Sequence, residues 1–75
     1  MTSFNILLNT INDVKDFVNL VNKYDFDVDL TSDRYVVNAK SIMGIFSLNL
    51  ANPIKVDVYS NDCDEFRKEL KKYVI

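Results

Sequence analysis

The sequence of 75 residues contains no histidine and no tryptophan, and only one residue each of cysteine, glycine and proline. Because histidine is absent, any function that requires an imidazole is excluded. The lone Cys63 has no partner for an internal disulfide, so nothing indicates an oxidising compartment. We expect this side chain to be a small buried hydrophobe rather than a reactive thiol.

The chain also lacks a basic stripe and a long apolar run. Its formal net charge is −2, whereas domains that bind nucleic acid usually carry clustered basic residues. The one late basic cluster, Lys68, Lys71 and Lys72, is interpreted as the solvated end of a helix. No stretch approaches the length of a membrane span, and the N-terminus lacks the pattern of a signal peptide. We therefore expect a cytoplasmic protein that binds neither nucleic acid nor membrane.

Apolar residues, 48% of the chain, occur with two periodicities that predict seven elements. Alternation of apolar and polar residues predicts strands with one buried face, and apolar residues at steps of three and four predict amphipathic helices. In the order strand, helix, strand, strand, helix, strand, helix, they span residues 4–8, 11–24, 26–30, 35–37, 42–48, 54–60 and 63–73. An antiparallel sheet with all helices on its apolar face is an α+β arrangement, and we expect one domain over residues 1–75.

Residues with strong positional preferences place the caps and turns. Thr10 and Ser41 are predicted N-caps of the first two helices, with Asp13 in the positive first turn of the first. Polar residues 31–34 predict a hairpin turn. Gly44 costs a helix interior about 1 kcal/mol relative to alanine, which indicates a close approach of the second helix to the sheet.

Three further expectations concern the edges of elements and the core. Pro53 is predicted at the first position of the fourth strand, where its missing N–H does least harm. Residues 60–62 are predicted to form the turn and cap before the last helix. The residues expected to face the core are Phe4, Ile6, Leu8, Ile11, Val14, Phe17, Val18, Val21, Tyr24, Phe26, Val28, Leu30, Ile54, Val56, Val58, Cys63, Phe66, Leu70 and either Tyr73 or Val74.

Residues 38–48 form the most specific motif of the chain, with the sequence NAKSIMGIFSL. Together with the element order, this motif resembles the regulatory-serine segment of the HPr family. HPr proteins are the small phosphocarriers of the bacterial phosphoenolpyruvate-dependent sugar phosphotransferase system. The resemblance extends over nearly the whole chain. It implies an open-faced β-sandwich with four antiparallel strands and three helices packed on one side.

The chain departs from that family at the phosphoryl-carrying loop. HPr-type carriers hold an active histidine, followed by arginine and proline, between the first strand and the first helix. Residues 8–15 of this chain read LNTINDVK instead. The amides and hydroxyl in this segment do not form a readily transferred phosphoramidate. Asp13 could form an acyl phosphate, but an acidic residue at the start of a helix usually only stabilises the positive end of the helix dipole. We therefore expect a protein that cannot carry phosphohistidine and is not an enzyme.

The resemblance also implies a role for the second helix. In the family its leading serine is the target of a regulatory serine kinase, and Ser41 is the matching candidate. The helix docks on partner proteins in the family, so we expect an exposed apolar patch beside Ser41. The residues expected to form this protein-binding patch are Ile42, Met43, Phe46 and Leu50. The alternative is that Ile45 and Phe46 belong to the core and only Met43 is exposed.

Three functional hypotheses follow from this resemblance. The first is a regulatory or protein-binding module related to the phosphotransferase system, with partners of the phosphotransferase or carbon-regulation type, comparable to the known HPr paralogue that lacks the active histidine. The second is a phospho-switch in which a serine kinase modifies Ser41. The third is a structural or homo-oligomeric domain with no remaining role in sugar transport. We expect no cofactor and no metal, and the sequence leaves the oligomeric state open.

Overall fold

A computed structural model describes residues 2–75, and its elements follow the predicted order. The elements are β1 (Thr2–Ile6), α1 (Ile11–Val21), β2 (Val28–Ser32), β3 (Tyr35–Asn38), α2 (Ile42–Phe46), β4 (Ile54–Val58) and α3 (Asp64–Glu69). The four strands form one antiparallel sheet in the spatial order β1-β4-β2-β3. With three helices on one side, this is an α+β open-faced β-sandwich, and the predicted fold class is confirmed.

The core lies between the helices and the inner face of the sheet. Val56 of the central strand β4 pairs with Phe4 on one side and with Leu30 on the other, so these three side chains share the inner face. The largest fully buried side chains come from both layers: Ile6, Leu8, Val14, Phe17, Val21, Val28, Leu30, Ile45, Ile54, Val56, Phe66 and Leu70. Alternate strand residues thus bury one face, as the sequence pattern predicts.

The outer face of the sheet is polar. Asp29 and Asp57 lie opposite each other in the ladder between β2 and β4. Each carboxylate accepts a hydrogen bond from its own donor, since the Tyr59 hydroxyl donates to Asp29 Oδ2 (2.9 Å) and Ser3 Oγ donates to Asp57 Oδ1 (2.7 Å). The Asp29 hydrogen bond and charge raise the pKa of Tyr59 above its usual value. Because these polar groups have hydrogen-bond partners within the sheet face itself, this face needs no covering layer.

The strand boundaries differ from the predicted ones by about two residues at several ends. β1 ends at Ile6 rather than at residue 8, because its partner β4 begins at Ile54 and the preceding Pro53 has no N–H for the ladder. Pro53 therefore precedes β4 instead of opening it. β2 extends to Ser32, so the hairpin turn contracts to Asp33 and Arg34, with Asp33 at a φ of +54°.

The helices are shorter than predicted because their last turns tighten. After Val21, the backbone N–H groups of residues 23 and 24 bond three residues back rather than four. The same change follows α2 at residues 47–48 and α3 at residues 71–74. The N-cap of α3 is Cys63, which makes no side-chain capping hydrogen bond. The predicted cap at residues 60–62 is therefore wrong, and Ser60 Oγ instead accepts the backbone N–H of Asp62.

Most predicted core positions are buried, with one clear exception. Ile11 is 63% exposed. It is the first residue of α1 and extends past the part of the sheet that this helix covers. The choice between Tyr73 and Val74 is settled for Tyr73, which is 5% exposed against 41% for Val74. Cys63 is buried and free, as predicted. Between residues 2 and 75, no helix has both the length and the apolar character needed to cross a bilayer.

A hydrogen bond between Tyr24 and Glu69 ties the end of α1 to α3. The Tyr24 hydroxyl donates to Glu69 Oε2 at 2.6 Å. This bond, with some desolvation and the charges of Glu69 and Glu65, raises the pKa of Tyr24 from 10.0 to about 12. A raised tyrosine pKa favours the folded state below pH 10, and this contribution is lost as the pH rises through about 12.

We predict that the tyrosinate absorbance of Tyr24, obtained by subtracting the titration of the Tyr24→Phe variant, has a midpoint near 12. The Glu69→Gln variant keeps a hydrogen-bond acceptor but loses the carboxylate charge, so the midpoint of Tyr24 should move down towards 10. A wild-type midpoint already at 10 would show that the bond to Glu69 does not form in solution.

Candidate functional site

The candidate site is the segment from Asn38 to Leu50, which contains α2. The turn that leads into the helix is held by Asn38, whose side chain accepts the N–H of Lys40 (2.8 Å) and whose carbonyl accepts the N–H of Ser41 (3.0 Å). Ser41 has an extended backbone, with φ −101° and ψ 104°, and its Oγ accepts the N–H of Gly44 (3.2 Å). The predicted N-cap is confirmed, and Ser41 is exposed.

Gly44 lies where α2 approaches the sheet. A Cβ at this position would come within 3.3 Å of Val37 Cβ on β3 and within 3.3 Å of Ser41 Oγ. The first contact fits the predicted close approach of helix to sheet, and the second involves the capping hydroxyl itself. Because glycine has no Cβ, both the capping hydroxyl of Ser41 and the side chain of Val37 can lie close to the backbone at this position.

The side chains expected to form the patch differ in exposure. Met43 is 77% exposed and Phe46 is 40% exposed, and the two are three residues apart on one side of the helix. Ile42 and Leu50 are half-buried and pack partly against the core. Ile45 is fully buried. Both Met43 and Phe46 are thus accessible, which differs from the alternative in which Met43 alone is exposed.

Lys40, next to Ser41, is tied to the protein. Its Nζ donates to the backbone carbonyl of Tyr24 at 3.0 Å, at the turn that follows α1. α1 also packs against α2, and this bond ties the turn before α2 to the turn after α1. The ammonium group is therefore held at the turn after α1 instead of extending freely into solvent.

The loop between β1 and α1 is organised by a capping box. Asp13 N–H donates to Thr10 Oγ1 (3.0 Å), and Asp13 Oδ2 accepts the N–H groups of Asn9 (3.0 Å) and Thr10 (3.3 Å). The predicted N-cap at Thr10 is confirmed. Because the Asp13 carboxylate accepts two backbone hydrogen bonds at the helix start, it has a complete structural role.

Other chemistry-bearing side chains do not converge on the segment. Within the described residues, no three Cys, Asp or Glu side chains are grouped so that they could hold a metal ion. The thiol of Cys63 is buried at the start of α3. The chemistry of the segment is therefore that of one exposed hydroxyl and an apolar surface.

A family profile described as PTS HPr component phosphorylation site matches residues 13–74 of the chain. The match begins at Asp13 and includes Ser41 and all of α2. It therefore covers most of the chain and contains the whole candidate site.

Solved HPr structures share this fold. HPr-C-His from Thermoanaerobacter tengcongensis is 29% identical, with a TM-score of 0.81 over 96% of this chain and 89% of that one. The phosphocarrier protein HPr of Bacillus anthracis is 28% identical, with a TM-score of 0.74 over 99% of this chain and 96% of that one. The Bacillus subtilis catabolite repression protein Crh is 30% identical, with a TM-score of 0.67 over 91% of this chain and 80% of that one. Its structure is described as a dimer with a swapping domain.

Proposed function

The chain belongs to the HPr family, and we propose that it is a regulatory or protein-binding member that acts through α2 rather than by carrying phosphohistidine. We further propose that residues 1–75 act as one HPr-like domain in the cytoplasm. Its partners would be proteins of the phosphotransferase or carbon-regulation type. The observation that carries the proposal is the exposure of Ser41 and Met43 together on α2 in a chain without histidine.

Loss of the carrier function is inferred from the loop before α1. A phosphohistidine needs an imidazole nitrogen as nucleophile, and the sequence has no histidine at any position. The nearest carboxylate, Asp13, accepts the N–H groups of Asn9 and Thr10. A phosphoryl group on this carboxylate would remove its charge and weaken the oxygen that accepts both N–H groups, so an acyl phosphate at this position is disfavoured. The protein is therefore proposed to be neither a phosphohistidine carrier nor an enzyme.

The binding role is supported by the character of the α2 surface. Exposed large apolar side chains that lie together are typical of protein-binding surfaces. A methionine suits such a surface because its unbranched side chain adapts to different partners. Met43 and Phe46 provide the accessible apolar area, and Ile42 and Leu50 would form its half-buried border.

The switch role is supported by the position of Ser41. Its hydroxyl is exposed and makes one capping hydrogen bond to Gly44. A phosphate on this hydroxyl would add negative charge two residues before the exposed Met43. It would thereby change the charge of the binding surface without disturbing a buried group.

We expect an HPr serine kinase with ATP to add one phosphate to the wild-type protein and none to Ser41→Ala. Ser47→Ala is the matched control, since Ser47 is also exposed and lies at the other end of the same helix. Loss of the N-cap costs about 1 kcal/mol, so circular dichroism should establish that Ser41→Ala is folded. Equal labelling of Ser41→Ala and wild type would end the switch proposal.

The same assay tests the apolar surface. Met43→Ser removes exposed apolar area without touching the hydroxyl, so we expect the KM of the kinase for this variant to rise by about three- to tenfold, with a smaller change in kcat. Ile11→Ser provides the control, because Ile11 is similarly exposed but lies on α1. An equal rise in KM for both variants would contradict a specific role for the α2 surface.

A further inference from the structure

A second surface lies at the opposite edge of the sheet from α2. It is a shallow groove of about 350 Å³ between α3, the edge strand β1 and the C-terminal segment. The residues that line it are Phe4, Asp64, Arg67, Lys68, Lys71 and Val74. The four charged residues are spaced by three, four and seven positions, so they form one side of α3 and of the turn that continues it.

The groove combines an apolar floor with cations that have no carboxylate partner within the described residues. Within residues 2–75, no carboxylate lies within ion-pair distance of Arg67, Lys68 or Lys71. The Arg67 guanidinium lies over the Phe4 ring, 5.8 Å from its centroid. Val74 adds exposed apolar surface beside it. Three cations against the single acid Asp64, around an apolar floor, indicate a ligand that is both anionic and partly apolar.

The backbone edge of β1 is open next to this groove. The C-terminal segment already bonds to this edge, since the N–H of Leu7 donates to Tyr73 O (2.9 Å) and the N–H of Ile75 donates to Asn5 O (3.2 Å). In an antiparallel strand, every second residue directs its backbone N–H and C=O to the same side. The backbone groups of Ser3 therefore point away from β4, as those of Asn5 do. Among the described residues, no backbone hydrogen bond reaches this side of β1 before Asn5.

We propose that this groove binds an extended acidic peptide segment that adds to the outer edge of β1 beside Ser3. Main-chain hydrogen bonds to the open edge would hold the peptide as an added strand. Because strand side chains alternate, residues on its inner side would place an apolar group against Phe4 and Val74 and a carboxylate against Arg67 or Lys71. The peptide thus satisfies the backbone edge, the apolar floor and the cations together.

This surface is separate from the α2 surface. β1 and β3 are the two edge strands of the sheet, and α2 packs against β3. A peptide at β1 would therefore leave Ser41 and Met43 accessible. Peptide binding at β1 therefore does not depend on any role of α2, and one protein molecule has room for a partner at each surface.

The test is a fluorescence-anisotropy titration with a labelled synthetic peptide that alternates glutamate and leucine. We expect saturable binding that the Arg67→Gln/Lys71→Gln double variant weakens about tenfold. The matched control is Lys15→Gln/Lys23→Gln, which removes the same charge from exposed positions on α1 and in the turn that follows it and should leave the affinity unchanged. An equal loss in both double variants would overturn the proposal, since binding would then follow net charge alone.

Two further arms separate a peptide strand from a general anion. A peptide with serine in place of leucine, and a single-stranded oligonucleotide of equal charge, should both bind much more weakly than the leucine peptide. Comparable affinity of either would overturn the proposal. In amide NMR spectra, the leucine peptide should shift Ser3 and Asn5 on β1 as well as residues of α3, and shifts that spare β1 would likewise overturn it.

Discussion

Replacing Phe66 by alanine is expected to lower the free energy of unfolding by about 3–5 kcal/mol. Phe66 is fully buried in α3, and its ring contacts those of Tyr24 and Phe26, with centroid separations of 5.2 and 5.4 Å. These contacts join α3 to the turn after α1. Because small domains are stable by only about 5–15 kcal/mol, a cavity at this position should remove a large part of the stability.

The matched control is Phe46→Ala, which truncates a phenylalanine that is 40% exposed on α2. We expect a cost of about 1 kcal/mol, since much of that ring is already in contact with water. Urea titrations of both variants and the wild type provide the measurement. Equal losses for Phe46→Ala and Phe66→Ala would show that Phe46 belongs to the core, and would remove one of the two exposed members of the proposed α2 surface.

The second large effect is expected in phosphoryl transfer. In a reconstituted phosphotransferase system, this chain should support sugar phosphorylation only at the background rate seen without any HPr. The reason is chemical, because the sequence has no imidazole and the hydroxyl of Thr10 accepts the N–H of Asp13 in a capping box. An authentic HPr in the same assay is the positive control. Sugar phosphorylation well above background with this chain would contradict the proposed loss of carrier function.

Added authentic HPr extends this assay. If the chain competes for the first enzyme through an HPr-like surface, increasing its concentration should slow the reaction in a saturable way. The Met43→Ser variant should compete less well, since Met43 is the most exposed large hydrophobic side chain of the described residues. Competition that is identical for wild type and Met43→Ser would place the contact away from the proposed α2 surface.

The two central strands, β2 and β4, could be predicted from the sequence because their alternation is regular. Ile54, Val56 and Val58 are each fully buried, whereas the intervening Lys55 is exposed. A pattern with a period of two has only one way to bury a single face, so local sequence determines the register of the inner side chains. The caps at Thr10 and Ser41 were equally predictable, since each hydroxyl precedes an apolar helical pattern.

The features that depend on distant contacts could not be predicted. Tyr24 and Glu69 are 45 residues apart in sequence, and no local pattern links them. The sequence also indicated a solvated helix end at Lys68 and Lys71, because apolar periodicity cannot show that Phe4 of β1 lies beside them. Only the sheet order, which places β1 at an edge, brings these residues together in one groove.

We propose that this HPr-family chain has lost the phosphohistidine function and acts through Ser41 and the surface of α2. The most direct test is intact-mass measurement after incubation with phosphoenolpyruvate and the first enzyme of the phosphotransferase system, and separately with ATP and an HPr serine kinase. The proposed function predicts no mass gain with the first donor and one phosphate, located at Ser41, with the second. An acid-labile phosphate gained from phosphoenolpyruvate would contradict it.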